Sequence, residues 1–238
     1  MRARSAVAGI LAVLCLAGCA NTGEAGAQSE TQGESAEQTQ SGTQRSSYED
    51  TALVGNSYIT SFFTYNALPG AACYYRVGLN VNSVFEQSMT QGDDTETPVI
   101  ELLKNKDFSH IIFFFGENEL GWSNREAFIE EYTEVIESAR SYCPDAVIYL
   151  SAIPPVSAEV SAQNENNTNN TSIQACNEEI KQIAADNDAV YVDAFSALAG
   201  DDGSLPDNAA ADGIHPAEEY TQKWAELFKQ SIAEAENK

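Results

Sequence analysis

The sequence predicts an α/β domain built on a five-stranded, mostly parallel sheet. Two observations carry this. Five short apolar runs, at 51–56, 73–77, 110–115, 146–151 and 189–193, alternate with stretches of helical spacing, the order expected of strand–helix–strand units. The third run, Ile111 to Phe115 after His110, is apolar without a break, as suits a strand covered on both faces. Right-handed crossovers then place helices on both sides of the sheet.

The elements follow in order. Thr51 to Asn56 is strand one, broken at Gly55. Tyr58 to Tyr65 continues as a helix or loop carrying Tyr58, Phe62, Phe63 and Tyr65. Leu68-Pro69-Gly70 is a turn, and Cys73 to Val77 is strand two, ending at Gly78. Val81, Val84, Phe85 and Met89 mark a loop or short helix, and Gln91 to Glu96 a polar loop. Pro98 suits the first turn of a helix to Asn105. Strand three ends at Gly116-Glu117-Asn118-Glu119. Ser123 is placed to cap a helix reaching about Tyr142, with Phe128, Tyr132, Val135, Ile136 and Ala139 on its apolar face. Ala146 to Ser151 is strand four, stopped by Pro154-Pro155. An Asn-rich loop, Gln163 to Asn170, leads to a helix opened by Thr171 or Ser172 and ending near Asn187. Ala189 to Asp193 is strand five. The last helix starts near Pro216 and is expected to bury Tyr220, Trp224, Leu227 and Phe228.

Ahead of this domain, which spans 49–238, two other segments are expected. Residues 1–18 read as an export signal: Arg2 and Arg4, then an apolar run from Ala6 to Ala17 too short for an ordinary membrane span. The segment Leu16-Ala17-Gly18-Cys19 resembles the lipobox of bacterial lipoproteins, which implies lipidation of Cys19 as the new N-terminus. Residues 19–48 are rich in Gly, Ser, Thr, Gln and Glu, and such a composition buries too little to fold. The 28 residues from Ala20 to Ser47 make a tether with an r.m.s. reach of roughly 30 Å.

Composition narrows the partners. The formal net charge is -24, from 36 acidic and 12 basic residues. That surface repels phosphate backbones, so no nucleic-acid partner is expected. It also disfavours electrostatic docking on anionic lipid, leaving the lipid on Cys19 as the only expected membrane contact. Cys73, Cys143 and Cys176 follow the signal segment, an odd number that allows at most one internal disulfide. Their spacing matches no metal-ligand pattern.

The chemistry centres on Gly55-Asn56-Ser57, a turn at the carboxyl end of strand one. Ligands bind outside that edge in open α/β sheets. A serine hydroxyl is a weak nucleophile until a neighbouring base takes its proton, and the chain holds two histidines. His110 begins strand three, at the far edge of the sheet. His215 lies in the loop before the last helix, where it reaches the carboxyl edge. Asp212 precedes it by three residues, a spacing that lets a carboxylate meet Nδ1 and fix the tautomer. The backbone N–H groups of Ser57 and Gly78 and the side-chain amide of Asn118, which follow strands one, two and three, are candidate donors to a developing oxyanion.

These blocks, Gly55-Asn56-Ser57, Gly78, Gly116-Glu117-Asn118-Glu119 and Asp212-Gly213-Ile214-His215-Pro216, resemble those of the SGNH (GDSL-type) hydrolase family in order and spacing, over about residues 51 to 230. The resemblance implies a flavodoxin-like three-layer α/β/α sandwich. It also implies ester hydrolysis through an acyl-serine, with neither metal nor cofactor. It assigns Ser57 as nucleophile, His215 as base and acid, Asp212 as orienting carboxylate, and Gly78 and Asn118 as oxyanion donors. Asn56 departs from the family pattern, which usually has Asp before the serine. Its amide can still bond nearby backbone.

An exported, lipid-anchored esterase removing short acyl groups, such as acetyl from glycans or small esters, is therefore the expected function. Phe62, Phe63, Tyr74, Tyr75 and Trp122 are candidates for its walls. A non-catalytic glycan-binding lipoprotein is the alternative that Asn56 leaves open. A dinucleotide-binding domain is disfavoured, because no Gly-rich phosphate loop follows strand one.

Overall fold

The computed structural model describes residues 47–89 and 97–237. The export segment, Cys19, the tether up to residue 46 and the polar loop 91–96 lie outside the described residues. The fold is already in place at Tyr48, one residue ahead of the expected start: its side chain is buried and its N–H donates to Pro69 O at 2.7 Å.

Five strands form one sheet: β1 (Thr51–Gly55), β2 (Ala72–Tyr75), β3 (His110–Phe114), β4 (Val147–Ser151) and β5 (Val190–Val192). Their order is β2-β1-β3-β4-β5, and every pair is parallel. The expected "mostly parallel" sheet is thus wholly parallel. The order places β1 and β3 in the interior of the sheet, and these two strands are buried at every position. Edge strands β2 and β5 are partly exposed, as an open sheet requires.

Helices cover both faces. They are α1 (Tyr58–Thr64), α2 (Arg125–Tyr142), α3 (Ala158–Gln163), α4 (Asn170–Asp186), α5 (Ala194–Leu198) and α6 (Glu218–Glu236). The period-2 alternation along β3 shows the two layers directly. Phe114 packs edge-on against Phe62 of α1 and Trp224 of α6. Phe113 and Phe115 point the other way, onto Tyr132 of α2. The result is a three-layer α/β/α sandwich.

Several sequence expectations shift. The segment Val99–Asn105 is 3₁₀ rather than α-helix. Asn124, not Ser123, caps α2, accepting from Ala127 N–H at 3.2 Å. Asn169, not Thr171 or Ser172, caps α4, accepting from Ser172 N–H at 2.9 Å. Each has the extended backbone an N-cap needs, and in each case the acceptor is an Asn within three residues of the expected hydroxyl residue. Tyr220 and Leu227 of α6 are only partly buried, while Thr221, Ala225 and Ile232 join Trp224 and Phe228 in the core. Helices α3 and α5 fall where no helix was expected. Among the described residues no helix is long and apolar enough to cross a membrane.

Candidate active site

β1 runs straight at the site. Gly55 lies beside Phe114 in the parallel register, and a Cβ there would sit 2.4 Å from Phe114 O. Only glycine passes, with φ +155°. The chain then turns into α1 at Ser57. Ser57 holds the N-cap position with a helical backbone and makes no side-chain cap hydrogen bond. Asn56 takes part of that work, its Oδ1 accepting from Tyr58 N–H at 3.1 Å. The Ser57 hydroxyl is thereby left to other partners.

His215 is its partner: Nε2 lies 2.8 Å from Ser57 Oγ. Nδ1 lies 2.7 Å from Asp212 Oδ2. Asp212 Oδ1 accepts the backbone N–H groups of Ile214 and His215, at 2.9 and 2.8 Å. This loop is anchored where Gly213 O accepts from Ser157 N–H at 2.8 Å. Gly213 adopts φ +74°, and a Cβ there would meet Ser157 Oγ at 2.4 Å. Ser57, His215 and Asp212 therefore form one hydrogen-bonded chain at the carboxyl edge of the sheet. His110 is remote from it, at the first position of β3 opposite Thr51, with Nδ1 3.1 Å from Tyr149 Oη.

The other predicted residues sit on adjoining turns. Asn118 follows β3, and its Nδ2 donates to Leu79 O at 2.8 Å, which leaves one amide hydrogen for another acceptor. That bond ties it to the residue after Gly78. Gly78 faces open space: a Cβ added there would have no heavy atom within 4 Å. The side chains of His215 and Asp212 are 35% and 53% exposed, so the arrangement opens directly to solvent. Among the candidate wall aromatics, Phe62 belongs to the core, Phe63 is exposed, and Tyr74, Tyr75 and Trp122 are partly buried.

The sequence profile of the GDSL-like Lipase/Acylhydrolase family matches residues 26–222. The chain belongs to this family. Solved structures of similar architecture carry GDSL-like or esterase descriptions. A GDSL-like lipase from Bacteroides thetaiotaomicron superposes with a TM-score of 0.59 at 17% identity, over 81% of this chain and 92% of that one. A carbohydrate esterase family 3 protein from Talaromyces cellulolyticus gives 0.54 at 16% identity, over 78% and 96%. A carbohydrate acetylesterase from Sinorhizobium meliloti gives 0.54 at 11%, over 78% and 98%. At such identities the likeness is one of fold. Comparison with curated proteins gives no match.

The GDSL-like site has supports that sequence reasoning missed. Glu119 is fully buried. Its Oε1 accepts Val81 N–H at 2.8 Å and its Oε2 accepts Gly116 N–H at 2.9 Å, so it stitches the turn after β2 to the turn after β3. Burial pushes its carboxyl up to about 7, against the opposing pull of those two N–H bonds. Asn177 and Asn170 clamp the segment after β4 in the same way. Asn177 bonds both N–H and C=O of Ile153, at 2.8 and 2.9 Å. Asn170 does the same for Val156, at 2.9 and 2.9 Å. Between them lie Pro154 and Pro155, which have no N–H to offer a ladder. Each of the three acts on a backbone group 14 or more positions away, so no local pattern singles it out.

Electrostatics around His215 involve more than Asp212. Burial works against the Asp212 charge, but hydrogen bonds from His215 and Ile214 prevail and hold its carboxyl below the usual range. Burial raises the Glu117 carboxyl, with His215 pulling it down and Asp212 pushing it up. Burial also holds the Tyr58 hydroxyl well above its ordinary value, reinforced by the charges of Glu117 and Asp212. Cys73, Cys143 and Cys176 are free thiols. Burial pushes Cys73 up to about 11 and Cys176 up to about 12, in the latter case despite the Arg125 guanidinium 3.2 Å away.

Proposed function

We propose that this protein is an extracytoplasmic serine ester hydrolase, held at the membrane by a lipid on Cys19, that removes short acyl groups of the acetyl type from glycans or small esters. The observation that carries the reading is His215, bridging Ser57 Oγ at 2.8 Å and Asp212 Oδ2 at 2.7 Å. In this mechanism Ser57 Oγ attacks the acyl carbon as its proton passes to His215 Nε2. Asp212 stabilises the imidazolium that forms. The N–H groups of Ser57 and Gly78 and the Asn118 amide stabilise the oxyanion. Collapse expels the alcohol, which takes the proton from His215 and leaves an acyl-serine. His215 then deprotonates a water that attacks the same carbon, releasing the carboxylic acid and restoring Ser57.

The substrate reading rests on shape. An imidazole and carboxylate this exposed, and open space in front of Gly78, suit a small acyl group on a bulky alcohol. Carbohydrate esterases among the structures of similar fold agree with that class.

The test is labelling by a fluorophosphonate probe together with hydrolysis of p-nitrophenyl acetate. The folded protein is expected to label at Ser57. Ser57→Ala is expected to lose labelling and turnover while its circular dichroism spectrum is unchanged. Full turnover by Ser57→Ala overturns the assignment.

A further inference from the structure

Glu117 leaves the carboxyl end of β3 beside the nucleophile turn. The β1–β3 register sets Gly55 against Phe114, and Asn56 N–H donates to Phe114 O at 3.3 Å. Residues 56–58 and residues 116–117 therefore emerge side by side. Glu117 Oε2 is sealed from solvent and has no hydrogen-bond partner among the described residues. Asn56 Nδ2 and Tyr58 Oη on the adjoining turn are likewise buried and unpartnered. The Tyr58 ring stands 5.5 Å from the His215 ring.

A buried carboxylate oxygen without a partner is costly: burial raises the Glu117 carboxyl, and the charge of His215 pulls it back down. The groups that act on Glu117 by charge are His215 and Asp212 on the last loop, Tyr58 on α1 and Glu119 on its own turn. His215 alone among these becomes positive. His215 is contacted in turn by Asp212 and by Ser57 and Tyr58 from the start of α1, and Glu117 interacts with it by charge.

We propose that Glu117 is a second positioning carboxylate for His215, stabilising through space the imidazolium formed when His215 takes the Ser57 proton, while Asp212 does so through a hydrogen bond. No bond is made to Glu117, and the proton stays on Nε2 until the alcohol leaves. The inference rests on the proposed hydrolase reading for its catalytic meaning, but the charge coupling is measurable without a substrate.

The test follows the two histidines by NMR as pH is varied, in the wild type and in Glu117→Gln. Loss of the charge is expected to lower the His215 midpoint by about 0.5–1 pH unit. The acid limb of kcat/KM should move down by the same amount, and the plateau should fall about 3–10-fold. A role in packing alone lowers the active fraction without moving either midpoint. Glu117→Leu repeats the measurement in a neutral variant that leaves no polar atom unpartnered at this position. Glu117→Asp is expected to return the midpoint towards the wild type. Folded neutral variants that shift His215 by less than about 0.1 unit, or upwards, overturn the proposal. A wild type that hydrolyses no ester overturns the hydrolase reading instead, and the NMR titration still decides the charge coupling.

Discussion

Asp212 holds His215 at two points. Its Oδ1 accepts the His215 backbone N–H at 2.8 Å and its Oδ2 meets the ring Nδ1 at 2.7 Å. One carboxylate thus sets both where the backbone turns and which ring nitrogen carries the proton. Asp212→Asn should separate these tasks. The amide oxygen keeps the backbone bonds, so the loop survives. The amide nitrogen faces Nδ1 with a donor, which drives the ring proton to Nε2 and removes the lone pair aimed at Ser57. A loss of about 10³–10⁴ in kcat with little change in melting temperature is expected, from steady-state kinetics beside a thermal melt.

Asn56 should behave as a brace for the nucleophile turn. It is fully buried and accepts from Tyr58 N–H. Asn56→Ala strands that N–H inside the protein, at a cost of about 1–3 kcal/mol. Urea denaturation is expected to show the loss, and kcat to fall with it as Ser57 loses its fixed backbone. An Asn56→Ala protein as stable as the wild type would remove this role.

Glu119 makes stability depend on pH in an unusual direction. Its carboxyl sits at about 7 in the folded protein, against about 4.3 in an unfolded chain. The folded state then binds the proton more tightly. Its contribution is complete below the unfolded value and is lost as pH rises through the folded one. Glu119→Gln stays neutral throughout but cannot accept both N–H bonds, costing about 1–3 kcal/mol at acid pH. The wild type should therefore lose its advantage over the variant as pH rises from about 4 to about 7, the span between the unfolded and folded values, read from urea midpoints.

The thiols should be silent in the native protein. Cys73 and Cys176 titrate too high to offer thiolate near neutrality, and Cys143 is buried. Slow reaction with iodoacetamide is expected before unfolding and rapid reaction afterwards. Because these three cysteines are free, a reductant should leave the melting temperature unchanged.

The sheet was legible because buried parallel strands demand unbroken apolar runs, and Ile111 to Phe115 supplies one. Strand order was not, since pairing joins β1 to β3 across more than fifty residues of chain and leaves no local mark. Short helices such as α5, five residues long, lack the length to display a period. The Ser57, Asp212 and His215 positions stood out because each follows a strand or precedes a helix in a turn of distinctive composition. Glu119 did not, because its meaning depends on Val81 N–H, 38 positions away.

Ser57 and His215 touch across 158 positions, nearly the whole length of the folded domain. The first strand therefore waits, during synthesis, for the last loop to arrive. Closure over so long a span is slow in comparison with local contacts, so on the proposed reading Ser57 gains His215 as its base only once the loop carrying His215 has been made and docked. A nascent molecule that lacks that loop leaves the Ser57 hydroxyl without this partner. Turnover then serves as a clock for the end of folding, and a stopped-flow refolding experiment can read it as the last event to appear.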